Sequence, residues 1–470
     1  MRQLVVFLAA LVLLLAVGWA IRPLGDGDIF THIVVGKHLF GTSILTESEI
    51  LEPVWVSWLA YWMFAKIDVL AGLSGVKGLN LALLWGTFVL AGTWTVLLRS
   101  PTADVDNTRL VPLTIGVVSG WSVSLTNAAA RPQSFAYLAF AGCLLLLELG
   151  GRRIVNTKWL ALLVFVVMVL WQNLHPSVVL ALPLFGYYII TRRIPVWILA
   201  LPCLAMLCTP DGWNIFHWSM VNMRISRELL GVSEWLPPWS PAVRGAMIYF
   251  WAVAALTTVG YVVSLQKGWG RNVEGVLSLL FLALTLSSSR FGVFWALVNI
   301  PVVVNLCERL WTMPLGRITL TALSGRMIQG TLVVGMAANV ALCPNTLAAD
   351  QPLAMLAEVK RNFPVAKIFN YREAGGLLEY VGYPGWRVFV DGRLYLFDRE
   401  IWDLYHSVAL VTNSEVVERV ISSHDLLVLD ESYHANLIRY LDSRKDIRLY
   451  QKGGGLRVYV SRWDGSDMPR

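Results

Sequence analysis

The sequence predicts a polytopic α-helical membrane protein of about eleven spans with a small C-terminal α/β soluble domain. Three observations carry that expectation. First, 56% of the 470 residues are hydrophobic and only 15% are charged, where a soluble domain carries about 25% charged residues. Second, the apolar residues come in blocks of about 17–22, the length a helix needs to cross a bilayer. Third, these blocks stop near residue 345, where charges become frequent and short β-rich runs alternate with helical ones.

The blocks place spans near 4–21, 78–98, 110–129, 133–150, 158–173, 176–191, 194–209, 246–265, 273–288, 290–306 and 328–343. The first run, Leu4 to Ala20, ends in Gly18-Trp19-Ala20, a poor cleavage site, so it reads as an uncleaved helix and not as a signal peptide. Val54 to Leu70 is rich in aromatics (Trp55, Trp58, Tyr61, Trp62, Phe64) and contains Lys66 and Asp68. Aromatics of this kind favour the headgroup region, which predicts an interfacial helix; a crossing helix would make a twelfth span.

Charge tests the orientation. With the N-terminus and Arg2 in the cytoplasm, one side receives Arg99 and Arg109, then Arg152, Arg153 and Lys158, then Arg192 and Arg193. Lys267, Arg271, Arg309, Arg317 and Arg326 follow on the same side. This sorting holds only if Val54–Leu70 does not cross. The other side then receives a loop of about 22–77, a second of about 210–244, and the C-terminal domain. The chain is therefore expected in the plasma or inner membrane, with residues 1–344 in it and 345–470 extracytoplasmic. From Asp350 onward there are 16 basic and 17 acidic residues. The net charge of +7 thus belongs to the membrane part and is an orientation signal, not a nucleic-acid footprint. Cys143, Cys203, Cys208, Cys307 and Cys343 lie in or beside apolar runs without metal-like spacing and read as small hydrophobes.

In the C-terminal part, strands are expected near Ala366–Asn370, Arg387–Val390, Leu426–Leu429, Ile447–Gln451 and Leu456–Ser461. Helices fit near Glu373–Val381, Arg399–Val411, Ser414–Ser422 and Ser432–Asp442. Gly453-Gly454-Gly455 makes the last two strands a hairpin.

Polar residues that are not orientation signals are costly in a membrane and tend to be functional. Here they collect at the non-cytoplasmic ends of the spans. Asp26 and Asp28, in Gly25-Asp26-Gly27-Asp28, suit chelation of a divalent cation such as Mg or Mn, or general-base work on a hydroxyl. A solvated turn with Asp28 as the N-cap of a helix over Ile29–Leu39 fits equally. Arg131, before Pro132 and Gln133, and Arg290, after three serines, each suit a phosphate, or else snorkel to headgroups. His175, in Trp171-Gln172-Asn173-Leu174-His175, is a ligand, a proton carrier or a structural histidine. Trp213, beside Asp211 and Asn214, and Glu234 with Trp235 suit sugar rings, whose faces stack on tryptophan; an amphipathic lid on the membrane explains them as well.

Taken in succession, these motifs resemble the GT-C superfamily of membrane glycosyltransferases, which use polyprenyl-phosphate sugars. They look most like a group of uncharacterised bacterial GT-C-like membrane proteins. The matching motifs are Asp26, Asp28 and His32 opening the first outer loop; Arg131-Pro132-Gln133; Trp171, Asn173 and His175; Pro210 to Trp213; and Glu234-Trp235. In the soluble part Phe369-Asn370-Tyr371, Gly375-Gly376 and Val390-Asp391-Gly392-Arg393 match. One departure is that Ile29 and Phe30 stand where the group usually has tryptophan.

The resemblance implies sugar transfer at the outer membrane face from a polyprenyl-phosphate-linked donor to a glycan, lipid or protein acceptor. Asp26 or Asp28 would be the base or hold a metal, and Arg131 and Arg290 would stabilise the leaving phosphate. His32, Gln133, Trp171, Asn173, His175, Trp213, Glu234 and Trp235 would line the substrate site. Membrane lipids, not nucleic acid, would surround it. Two rivals remain at this point: a non-catalytic scaffold that has kept the fold, and a transporter. The second is disfavoured by the scarcity of ionisable residues at mid-span and by the lack of internal repeats.

Overall fold

The structure is a computed structural model. It describes residues 2–20, 26–39, 46, 55–99, 110–192, 194–265, 273–312, 330, 333–335 and 350–461. Helices stand at ten of the eleven expected span positions: α1 (Arg2–Ala20), α3 (Trp58–Arg99), α4 (Leu110–Ser124), α5 (Gln133–Gly151), α6 (Thr157–Leu174), α7 (Leu182–Arg192), α8 (Ala200–Ala205), α10 (Ile248–Leu265), α11 (Val273–Ser287) and α12 (Gly292–Thr312). The expected span at 328–343 lies largely outside the described residues. Among those described, five helices are long and apolar enough to cross a membrane, and the stretches Val6–Ala16, Pro176–Thr191, Val196–Ala205, Ile248–Val262 and Glu274–Ser287 are apolar but shorter. Length and composition thus support an integral membrane protein, while the count of eleven stays an expectation. The aromatic segment read as interfacial is the start of α3, which breaks at Gly72 (φ 62°, ψ −164°).

The chain divides into two compact units. The first comprises Met1–Arg22, Trp55–Ser57 and Lys77–Pro344; the second comprises Pro23–Val54, Trp58–Val76 and Asn345–Arg470. The sequence reading put the acidic loop and the aromatic segment with the spans. Instead, the short helix α2 (Asp28–Lys37) and the first part of α3 belong with the C-terminal domain.

In the first unit the core is aromatic and aliphatic. Trp94, Trp121, Trp171, Trp295, Tyr137, Phe140 and Phe281 are all buried. A Cβ on Gly116 would run into Val304, and one on Gly120 would press on Ile300, so the two glycines let α4 and α12 approach closely. Small residues do this where helices pack in an apolar medium. A helix α9 (Asn214–Arg224) lies between α8 and α10.

The second unit holds a five-stranded sheet ordered β2-β1-β3-β5-β4, with β1 (Ala366–Asn370), β2 (Trp386–Val388), β3 (Leu426–Asp430), β4 (Arg448–Gly453) and β5 (Leu456–Val460). β1 is parallel to β2 and β3, while β5 is antiparallel to β3 and β4. Its helices are α13 (Asp350–Asn362), α14 (Gly375–Gly382), α15 (Arg399–Leu410), α16 (Ser414–Ser423) and α17 (Ala435–Asp442). Gly454 and Gly455 adopt the positive φ that the β4–β5 turn demands. The sequence reading placed no element at α13, whose buried stripe is only Met355, Leu356 and Val359.

Candidate functional site

In the first unit, five of the expected site residues come together from separate elements. Arg131 sits just before α5, His175 just after α6, Glu234 and Trp235 in a short turn (Ser233–Trp235), and Arg290 in the turn before α12. Arg131 Nη1 donates to Glu234 Oε2 at 2.5 Å. Arg290 donates to the other carboxylate oxygen, and its guanidinium lies 4.7 Å over the Trp235 ring. The turn is fixed by the serines before Arg290: the Ser288 and Ser289 hydroxyls both donate to the Glu234 carbonyl at 3.0 Å. Ser289 N–H donates to the Leu236 carbonyl at 2.9 Å.

The electrostatics favour an anion. Burial pushes the Glu234 carboxyl up, but Arg290 and Arg131 outweigh it and hold it below the usual glutamate range. Among the described residues, two guanidiniums thus flank one carboxylate. His175 Nδ1 accepts the Ser177 N–H at 3.1 Å, so the neutral ring carries its hydrogen on Nε2. That nitrogen stands 3.4 Å from Arg290 Nη2. Two donors side by side suit a shared anionic oxygen.

The other residues expected in this unit play different parts. Trp171 donates to Ser177 Oγ at 3.2 Å. The Asn173 amide donates to the Cys208 carbonyl at 2.7 Å and to the Val169 carbonyl at 2.8 Å. Both therefore brace the turn that carries His175. Gln133 is buried at the start of α5. Asp211 accepts the Trp55 N–H at 2.8 Å; burial raises its carboxyl and that bond partly offsets the rise. Trp213, at 72% exposure, stands out in the open beside Phe216.

In the second unit the acidic motif forms a different cluster. Asp26 Oδ1 accepts the Asp28 N–H at 3.0 Å. The helix begins at Asp28 with Gly27 as its cap residue, so Asp26, not Asp28, supports the helix start. Gly376 of α14 abuts Thr31, and Gly392 abuts the Asp28 carboxylate, so closely that a Cβ on either would clash. The acidic, Gly-Gly and Asp-Gly-Arg motifs, about 350 residues apart in sequence, are thus one packed feature. Beside it Arg393 holds the fully buried Asp391 through Nε (2.8 Å), Nη2 (2.6 Å) and its own N–H (2.6 Å), with Glu379 at 3.7 Å. His32 stacks on Tyr61 with ring centroids 4.7 Å apart. Burial lowers its pKa to about 3 despite the pull of Asp391, which removes it as a proton carrier at neutral pH.

The sequence reading expected one face holding all twelve residues. In the first unit Arg131, His175, Glu234, Trp235 and Arg290 meet, with Trp171 and Asn173 behind them; in the second unit Asp26, Asp28 and His32 lie on and before α2. Asp391 and Arg393 entered only as motif matches, and Glu379 and Tyr61 carried no chemical signal in a sequence read singly. As for a cation, no group of three or more His, Cys, Asp or Glu residues able to hold a metal gathers among the described residues. Asp26 has an oxygen spent on a backbone N–H. Among the described residues, Asp26 and Asp28 are not joined into a group of three such side chains that could hold a divalent ion.

No protein-family model matches the sequence, and no curated protein does. In structure the chain is similar to the archaeal oligosaccharyltransferase AglB from Archaeoglobus fulgidus, solved in complex with an inhibitory peptide and a dolichol-phosphate. The TM-score is 0.56 over 97% of this chain and 74% of that one, at 11% identity. At that identity the likeness is one of fold.

Proposed function

We propose that the protein is a membrane glycosyltransferase, moving a sugar from a polyprenyl-phosphate donor to a glycan, lipid or protein acceptor at the outer membrane face. The observation that carries this reading is the meeting of Arg131 and Arg290 on Glu234, beside Trp235 and His175, at the ends of apolar helices. In the reaction, the acceptor hydroxyl attacks the anomeric carbon, the bond from that carbon to the phosphate oxygen breaks, and the polyprenyl phosphate leaves as an anion. Arg290 and Arg131, aided by His175 Nε2–H, stabilise the charge that builds on the leaving oxygen. The acceptor hydroxyl gives up its proton to a base, a role that the motif resemblance assigns to Asp28. Asp26 keeps Asp28 at the head of α2 through its bond to the Asp28 N–H. That AglB was solved with a dolichol-phosphate and a peptide supports a lipid-linked donor.

A non-catalytic scaffold is the rival, and one observation favours it: Glu234 joins both arginines as a structural tie would. The separating experiment is transfer of radiolabelled sugar from polyprenyl-phosphate donors by the reconstituted protein. Loss of transfer in Asp28→Asn, with folding intact, supports the enzyme. Full transfer in both Asp26→Asn and Asp28→Asn removes the catalytic assignment.

A further inference from the structure

We infer that the second unit carries a carbohydrate-binding site at the carboxyl ends of β1 and β3, built on Tyr371, Tyr433 and Arg372. As an acceptor site it rests on the glycosyl-transfer reading; as a binding site it does not.

The topology creates the place. From β1 the chain leaves through α14 to β2 on one side, and from β3 it leaves through α17 to β4 on the other side. Right-handed crossovers running in opposite directions lie on opposite faces of a sheet. The segments leaving β1 and β3 therefore part, and a crevice opens between the carboxyl ends of these two parallel neighbours. Open α/β sheets bind their ligands at such a switch point.

The residues there have one chemistry. Tyr371 and Arg372 follow β1, and Tyr433 and His434 follow β3. The Tyr371 and Tyr433 rings lie 5.6 Å apart, and Tyr433 stacks on Tyr405 of α15 at 6.0 Å and 20°. Tyr433 is 42% exposed. It is held out by a turn in which Asp430 Oδ1 accepts the Ser432 and Tyr433 N–H groups at 2.9 and 2.8 Å. The Arg372 N–H donates to Tyr405 Oη at 3.1 Å, and its guanidinium pairs with Glu373 at 3.0 Å.

A second observation points the same way. His434 is fully buried among these rings, edge-on to Phe369, Tyr371 and Tyr405. Its Nδ1 accepts the Asp430 N–H at 3.3 Å, so the neutral ring bears hydrogen on Nε2. Nε2 has no hydrogen-bond partner among the described residues.

Tyrosine faces take the apolar face of a pyranose, while a guanidinium and a carboxylate at the rim take its hydroxyls. A peptide added as a strand needs a free sheet edge, and β1 and β3 are paired on both sides.

The test uses the full chain in lipid nanodiscs, titrated with soluble oligosaccharides of glucose, mannose, galactose and N-acetylglucosamine, and separately with short peptides. At least one oligosaccharide should bind. Tyr433→Ala and Arg372→Ala should each weaken that binding at least about fivefold, with Tyr433→Trp retaining it. Arg290→Ala should bind sugar as the parent does while losing transfer, which separates this site from the transfer reading. The inference is overturned if no oligosaccharide binds, if both alanine variants bind as the parent does, or if peptides are what Tyr433→Ala loses.

Discussion

Replacing Glu234 by glutamine probes the arginine cluster most sharply. Its side chain is 17% exposed, against 17% for Arg290 and 26% for Arg131. Breaking a fully buried ion pair costs about 3–5 kcal/mol; partial hydration of both guanidiniums reduces that here to about 1–3 kcal/mol. At a few degrees per kcal/mol, Tm should fall by about 2–6 °C. The pH dependence gives an independent check. The folded carboxyl titrates below its ordinary value of 4.5, so its stabilisation is complete above that value and is lost as pH falls through the folded pKa. Differential scanning fluorimetry of the solubilised protein from pH 7 to 3.5 should therefore show the parent losing stability below about pH 4.5. The Glu234→Gln protein should start lower and lack that part of the slope. Equal Tm values and equal slopes would refute the argument that Glu234 is a charge held between two cations.

Three further outcomes follow from the second unit. Gly376→Ala forces a methyl into Thr31 and should cost about 1–3 kcal/mol, read as faster proteolysis of the second unit; unchanged cleavage would contradict the packed motif. Asp68→Asn weakens the bonds from Lys37 Nζ (2.7 Å) and Tyr380 Oη (3.1 Å) and should lower stability by about 1–2 kcal/mol, whereas Lys66→Gln should not. His32 has a folded pKa near 3 against 6.5 unfolded, so the unfolded chain binds the extra proton between these values and stability falls as pH drops through that window. His32→Gln should flatten the slope between about pH 6 and 4, and a parent-like slope would contradict the burial.

Much of this was legible in the residues. The strands at Ala366–Asn370 and Leu456–Val460 and the helices at Arg399 and Ser414 follow from alternation and apolar periodicity, and Gly454 with Gly455 from turn chemistry. Those signals are local. What stayed hidden depended on distant partners. The partners of Asp68 have no local signal, because Lys37 and Tyr380, which bind it, lie 31 and 312 residues away. Likewise, the glycines at 376 and 392 gave no sign that Thr31 and Asp28 press against them. The arginines and Glu234 were visible singly as outer-face charges. Their pairing was not, since Arg131 and Glu234 are 103 residues apart. α13 escaped because three buried residues in a charged segment make too narrow a stripe.

The central claim is transfer from a lipid-linked donor, and the direct measurement is single-turnover transfer of labelled sugar from a panel of polyprenyl-phosphate sugars by the reconstituted chain. Turnover is expected with at least one donor, lost in Asp28→Asn and reduced by at least about a hundredfold in Arg290→Ala. Turnover with none of the donors, or undiminished turnover in both variants, would contradict it.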